Sequence, residues 1–415
     1  MRLPRVPAQV PARGSWLRPV VLVMLSGAVS QGFARFTYPF VLPQMRDDLL
    51  GSYSAAGALG AVNLGSYLAG VLAMTWISRR VESTVLLKAG LFLTAGGLLL
   101  IAAAPSVPWV VVGMAEVGLC SAAVWVPAAG IVSAHAPEHR RGFAFGITVA
   151  GIGLSIAVTG QLVSLVHRIA GPDSWRPVWA IESGLAVTIL VVQLCLLRRL
   201  PGEHAPDTTR RPLRELMPAP QLLLVSYFLY GASYAIFTNY LVAAVQTDLG
   251  ISQSSAAQVY SVLGVASIFG GLVLGRISDR LERRTVLGWS VVGTGLLCLV
   301  VPAGVGPLAV PVALLYGLLM TGVGSVLFAY ISDSVPQSFV AAAFGTITIS
   351  LGLSQLVAPP FGGWLADRTG GFAASYLVAA VVGVIGGLLA LRLPAARSRH
   401  HADVAVVTPA QTPVV

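Results

Sequence analysis

The chain has 415 residues, of which 56% are hydrophobic and 10% charged, with a formal net charge of +10. A soluble chain of this length needs roughly 25% charged residues to coat two or three domains, so a soluble multidomain protein is excluded. Nor does the positive charge mark a nucleic-acid surface, because the basic residues fall between apolar runs rather than along one stripe.

About 20 mostly apolar residues cross ~30 Å of hydrocarbon as a helix. Windows of that length predict twelve helices, at 19–43, 53–77, 84–104, 108–134, 142–167, 175–197, 220–246, 255–277, 285–303, 308–332, 340–364 and 372–393. The fold class is therefore an all-α membrane protein. The first run follows a basic, proline-rich arm but is too long for a signal peptide. Residues 198–218, rich in Arg, Pro and Thr, form the long polar break between spans six and seven. The expected organisation is an arm at 1–16, a six-helix bundle at 17–197, a linker at 198–218, a second bundle at 219–393 and a tail at 394–415.

The 26 Lys and Arg residues set the orientation. With residue 1 in the cytoplasm, all fall on the inner side except Arg46, Arg168, Arg176 and Arg368, and Arg35 within a span. That bias places both termini in the cytoplasm. Cys120, Cys195 and Cys298 each stand alone in an apolar run and read as small packing residues.

The two halves repeat. At an offset of 201, Phe36-Thr37 matches Phe237-Thr238, Asp47 matches Asp248, Ser54-Ala55-Ala56 matches Ser255-Ala256-Ala257, and Thr84-Val85-Leu86 matches Thr285-Val286-Leu287. At an offset of 199, Ala144-Phe145-Gly146 matches Ala343-Phe344-Gly345, and Gly153-Leu154-Ser155 matches Gly352-Leu353-Ser354. Six spans repeated once in the same orientation suit a transporter of two bundles.

Gly275-Arg276-Ile277-Ser278-Asp279-Arg280-Leu281-Glu282-Arg283-Arg284, between spans eight and nine, resembles the G-x-x-x-D-R-x-x-R-R loop of the major facilitator superfamily. The resemblance implies that Gly275 allows close helix approach, that Asp279 meets a facing helix N-terminus and basic side chains, and that Arg280, Arg283 and Arg284 latch a cytoplasmic gate. A carboxylate near a helix N-terminus is also favourable on its own account. In the first half Ser78 stands in place of the aspartate, which weakens the case for a symmetric latch. Gly32-Phe33-Ala34-Arg35-Phe36-Thr37-Tyr38, with Leu42-Pro43-Gln44-Met45 and Asn63-Leu64-Gly65-Ser66-Tyr67, is similar to the YbfB/YjiJ-like bacterial branch. Two departures from drug antiporters limit what carries over: Met114 replaces a fourth-span arginine, and Gly160-Gln161 replaces a Gly-Pro pair.

Ionisable residues inside a span are functional candidates by default. Three occur: Arg35, Glu116 and Glu182. Each lies roughly 10 to 12 Å below the outer end of its helix, at 1.5 Å per residue. The resemblance places spans one, four, seven and ten around a central cavity, so Arg35 and Glu116 are expected to form a protonation-sensitive pair there, with substrate competing for Arg35. A structural bridge, or an arginine reaching out to the headgroups, also fits these residues. Tyr38 adds a hydroxyl in span one. In span seven, Tyr230 and Tyr234 share a helical stripe with Tyr227 and Phe237, with Asn239 nearby, and the group suits either a polar organic solute or an aromatic packing seam.

No catalytic residue, metal site or cofactor is expected. The six histidines lie in loops, tails or near span ends, and there is no HExxH pattern or phosphate loop. The sequence therefore predicts a secondary transporter that moves a small organic solute by alternating access with protons, not an enzyme. It is expected as a monomer in the bilayer of a bacterial inner membrane, with no nucleic-acid partner. A receptor or scaffold built on the same fold is the alternative.

Overall fold

The computed structural model describes residues 16–78, 80–137, 141–171, 173–197, 215, 217, 219–335 and 340–395. The expected arm, linker and tail lie almost wholly outside these residues. Every span folds as a helix, since hydrocarbon offers no partner for backbone N–H and C=O groups and a helix pairs them internally.

The helices are α1 (Leu17–Leu50), α2 (Tyr53–Ile77), α3 (Ser83–Ala103), α4 (Val107–His135), α5 (Arg141–Ala170), α6 (Arg176–Leu196), α7 (Pro220–Thr247), α8 (Gln253–Arg280), α9 (Arg283–Leu297), α10 (Ala309–Ser334), α11 (Val340–Thr369) and α12 (Ala373–Leu391). Ten of them are long and apolar enough to cross a membrane by length and composition. The other two are α9 and α11. The sequence overestimates α9: its α-helix has 15 residues and tightens into a 3-10 turn at Cys298–Val300, because the apolar run continues past the point where the helix ends. The first rod is longer than expected, 34 residues. It contains two π-helical stretches, Ala28–Phe33 and Arg46–Leu50.

Helices α1–α6 form one bundle and α7–α12 the other, with equivalent packing in each: α2 crosses α4 as α8 crosses α10, and α3 lies on α6 as α9 lies on α12. Glycines at equivalent positions allow those crossings. A Cβ at Gly118 would lie 2.2 Å from the Asn63 carbonyl oxygen, and one at Gly317 would lie 2.2 Å from that of Leu263. Caps repeat as well. The Ser52 hydroxyl accepts from Ala55 N and that of Ser252 from Ser255 N, each following a glycine in the left-handed region, Gly51 and Gly250. Lys88 Nζ donates to Leu197 O (2.8 Å) at the end of α6, and Arg284 donates to Leu393 O (3.0 Å) just beyond α12. Cations at helix C-termini are favourable.

The bundles meet along two seams, α5 on α8 and α2 on α11, with α1 against α7 between them. We call the membrane side bearing the 78–82 and 281–282 turns the termini face and the opposite side the far face. At the far face the bundles are bonded together. Asp367 at the end of α11 accepts from Tyr53 N (2.9 Å) and Ser54 N (2.8 Å) at the start of α2. Tyr240 donates to Pro359 O (2.7 Å), and its ring joins Tyr53 and Phe372 in an aromatic plug. Gln161 donates to Gln258 Oε1 (3.0 Å) across the other seam. Nearer the middle, Gly153 packs on Gly264 and Ser267. On the termini half, by contrast, a Cβ at Gly146, Gly324 or Gly345 meets nothing within 4 Å.

Candidate functional site

A small central cavity lies between the bundles, lined by Arg35, Phe36, Tyr38 and Pro39 of α1, Gly60, Asn63 and Leu64 of α2, Met114 of α4, Tyr234, Ala235, Thr238 and Asn239 of α7, and Gln355 of α11. Arg35 is the one charged side chain in that lining. It lies two residues past the π-helical stretch of α1, where Gly32 lies so close to Ser155 of α5 that a Cβ there would sit 1.7 Å from the Ser155 hydroxyl. Helical irregularities of this kind are common at functional sites.

The guanidinium donates to Gln355 Oε1, joining the bundles at the cavity wall. Gln355 is 2% exposed, and its Nε2 has no partner. A buried amide donor left unpaired costs about 1–3 kcal/mol, and here it stands beside a guanidinium that still has donors to offer. The Asn63 amide nitrogen Nδ2 donates to Ala34 O (3.2 Å) and Met114 O (3.1 Å), fastening α1, α2 and α4 around the cavity. Asn239 donates to Ala235 O (2.9 Å) on its own helix and turns Oδ1 towards Gly60 across the seam. The free space is about 20 Å3, room for roughly one water. In this state, with the far face sealed, the site is contracted below the size of an organic solute.

The expected residues divide between cavity and framework. Arg35, Tyr38, Tyr234 and Asn239 line the cavity. Tyr38 presents its ring, its hydroxyl being held by Ala56 O (2.6 Å). Tyr230 sits behind, stacked between Tyr227 and Tyr234, its hydroxyl on Met320 O (3.3 Å). Glu116 does not reach Arg35. Its side chain lies on the α3 flank, with Cγ 3.4 Å from a Cβ placed at Gly97. The depth matches but the azimuth does not: two residues turn an α-helix by about 200°, and Met114 and Gly118 already face the cavity wall and Asn63. Sequence reading missed Gln355 and Thr238. Gln355 carried a signal, since Ser155-Ile156 in one copy aligns with Ser354-Gln355 in the other, making the glutamine a polar break in the repeat.

The gate motif spans the end of α8 and the start of α9. Arg283 pairs with Asp279 (3.2 Å) and with Asp333 at the end of α10, while Arg284 pairs with Glu282 (2.8 Å) as well as Leu393 O. These bonds stay within the second bundle. Residues 138–140, in the first bundle's corresponding loop of the sequence, lie outside the described residues. Gly275 does not serve helix approach in this conformation, as a Cβ there meets nothing within 4 Å. The close contact lies a turn earlier, where a Cβ at Gly270 would come 2.1 Å from Leu318 O.

Two six-helix bundles related by an internal repeat, closed around a central polar cavity, define a multi-pass transporter of the major facilitator fold, not an enzyme. The chain belongs to the family described as "Uncharacterised MFS-type transporter YbfB", which matches residues 27–391. Among curated proteins it is similar to monocarboxylate transporter 12-B of Danio rerio, with 24% identity over 75% of this chain and 73% of that protein. It also resembles monocarboxylate transporter 13 of Bos taurus, with 26% identity over 92% and 91%. Among solved structures it superimposes on a bacterial homologue of the human lysosomal transporter Spinster in an inward-facing, unoccupied conformation, with TM-score 0.72, 13% identity, and coverage of 92% of this chain and 97% of that one. It superimposes equally on a D-xylose-proton symporter, with TM-score 0.72, 16% identity, and coverage of 92% and 99%.

Proposed function

We propose that this protein is a secondary active transporter that moves a small organic anion, a monocarboxylate in the first instance, by alternating access coupled to protons. The observation that carries the reading is the presence of Arg35 and the unpartnered Nε2 of Gln355 in the lining of one cavity. A guanidinium and an amide N–H in one lining suit a carboxylate, whose two oxygens accept both donors. Asn239 Oδ1 and the Tyr234 ring, on the other wall, suit the polar and apolar parts of a short organic acid. The names of the curated relatives support the substrate class, and one structural neighbour is a proton symporter.

The positive-inside pattern supports an orientation with the termini face in the cytoplasm, and the resemblance to a bacterial branch is what favours a bacterial inner membrane. The bonded far face is then the closed outer gate, and the molecule waits for cytoplasmic access. The gate motif from Gly275 to Arg284 belongs to the opposite closure, formed when the bundles rock the other way. The arm at 1–16, the linker at 198–218 and the tail at 394–415 complete the arrangement, and the working unit is a monomer.

The test is flux into proteoliposomes holding the full chain, with lactate, pyruvate and xylose offered under an imposed pH gradient. The carboxylates are expected to be carried and the sugar refused. Arg35→Gln is expected to lower carboxylate flux roughly 10- to 150-fold, the worth of a hydrogen bond to a charged group, and Arg35→Lys is expected to keep part of it. Saturable binding without flux of any solute would favour the receptor alternative instead.

A further inference from the structure

The cavity does not use the one carboxyl that, among the described residues, is sealed inside the first bundle. Glu182, on α6, is 0% exposed. Its Oε1 accepts from Thr159 Oγ1 of α5 (2.7 Å) and Thr37 Oγ1 of α1 (2.8 Å), and its Oε2 lies 2.8 Å from the same Thr37 oxygen. The two threonine oxygens are 3.4 Å apart, and both side chains are buried. No cation touches the carboxyl. Of the ionisable groups on the helices packed against α6, Arg35 and Tyr38 line the cavity, and Lys88 of α3 bonds Leu197 O near the termini face. His167 and Arg168 are in the last turn of α5, Arg141 is in its first, and Arg18, Arg46, Asp47 and Asp48 lie at the two ends of α1.

A carboxyl used only for packing is a poor choice here, since a glutamine meets the same hydroxyls without an ionisable group in the membrane interior. Threonine hydroxyls suit a group that changes state. Each donates to a carboxylate or, after turning, accepts from a carboxylic acid O–H. The same three side chains can therefore bond in both states, with the hydroxyl directions reversed between them.

The location links that change to transport. Thr37 stands two residues from Arg35, about 200° round the same helix, so Glu182 grips the back of the turn whose front faces the cavity. Thr159 precedes Gly160, where a Cβ would meet Ser261 and Ala257 of α8 across the bundle seam. One carboxyl thus joins the cavity helix to a helix of the sliding interface.

We propose that Glu182 is the proton-binding site of the transport cycle. The carboxylate takes one proton from water admitted on one side and releases it to water on the other. The reversal of the Thr37 and Thr159 hydroxyls between those steps re-seats α1 against α5. The proposal rests on the transporter reading above and names the proton site that reading requires.

Two measurements on the full-length protein test it. The first is an infrared pH titration in lipid, which reads the proton directly and needs no solute. A buried carboxylic-acid C=O band that grows and fades with pH is expected in wild type, to be absent in Glu182→Gln, and to shift in Thr159→Val, which removes one hydroxyl. If the band is missing in wild type, or is untouched by Thr159→Val, the proposal fails even if the glutamine variant does not fold. The second compares gradient-driven lactate accumulation with lactate exchange at equal pH. Glu182→Gln is expected to lose the accumulation tenfold or more while exchange stays within about threefold. Accumulation at the wild-type level in that variant overturns the proposal. Wild type that titrates in the infrared but carries nothing sinks the transporter reading, and with it the role in a transport cycle, while the titration itself stays assigned to Glu182.

Discussion

The two bundles share a skeleton and differ in chemistry. Where the skeleton is shared, the residues hold backbone: Gly118 and Gly317 at the helix crossings, with Gly51 and Gly250 at the turns and Ser52 and Ser252 at the caps one or two positions out of register. Where the repeat is broken, polar groups enter the interior. Arg35 of the first bundle aligns with Ile236 of the second, and Gln355 of the second aligns with Ile156 of the first. Thr37 and Thr238 are the same residue in the repeat, yet Thr37 meets the carboxyl of Glu182 while Thr238 bonds back to Tyr234 O (2.8 Å) on its own helix. Around the second threonine lie rings instead, with Phe237 stacked on Tyr316 (3.6 Å) and Tyr376 bonded to Phe237 O (3.0 Å). The first bundle carries the charge and the second the aromatic wall. Matching positions thus report on folding, and mismatched ones on what is carried.

The sharpest way to break this comparison is at the crossings. Gly118→Ala and Gly317→Ala are each expected to destabilise the protein by about 1–3 kcal/mol, the usual range for overpacking, because a backbone oxygen lies where the methyl would go. Thermal unfolding in detergent micelles reads the loss. Similar drops in both confirm a shared skeleton, whereas a loss in one alone would show that only one bundle depends on its glycine.

A smaller effect is expected at the far face, where the bundles are unequal. Asp367 caps α2 across the interface, and its repeat equivalent is Arg168, whose charge is wrong for a helix N-terminus. Asp367→Asn is expected to weaken far-face closure by about 1 kcal/mol, roughly fivefold in the open population. The measurement is the labelling rate of a cysteine placed at Asn239, in a background lacking Cys120, Cys195 and Cys298, by an impermeant thiol reagent added from the far side. An unchanged rate would mean that the aromatic plug and the Tyr240–Pro359 and Gln161–Gln258 bonds hold that end shut without Asp367.

The smallest effect is expected at Gly275. With no atom within 4 Å of an added Cβ, Gly275→Ala is expected to stay within about 0.5 kcal/mol in stability. If it slows flux while leaving the melting temperature unchanged, the glycine packs against a neighbour only in the opposite state of the cycle.

Much of the fold was legible in the sequence because hydrocarbon imposes length and apolarity on every span. Ten helices meet that demand outright. The misjudged span, α9, shows the limit: an apolar run says where chain is buried, not where an α-helix tightens into a 3-10 turn. Depth was legible for the same reason, and Arg35, Glu116 and Glu182 were assigned to one level. Azimuth was not. Whether a residue faces a cavity, a neighbouring helix or lipid depends on how helices are rotated against one another, and an all-round apolar helix leaves few polar residues to fix that rotation. Glu116 was therefore put in the cavity although it faces α3, and Tyr230 was counted with Tyr234 although it stands a layer behind. The register of the repeat held information that hydropathy lacks, and Gln355 was visible in it.

The contact between Arg35 and Gln355 carries a thermodynamic consequence. The same guanidinium that would receive a carboxylate also ties α1 to α11. Under the proposed function, an anion that competed with the glutamine carbonyl for this guanidinium would link filling of the site to untying of the halves. A solute without an acceptor strong enough to make that exchange leaves the molecule fastened, and selectivity is then exercised through mobility as well as fit.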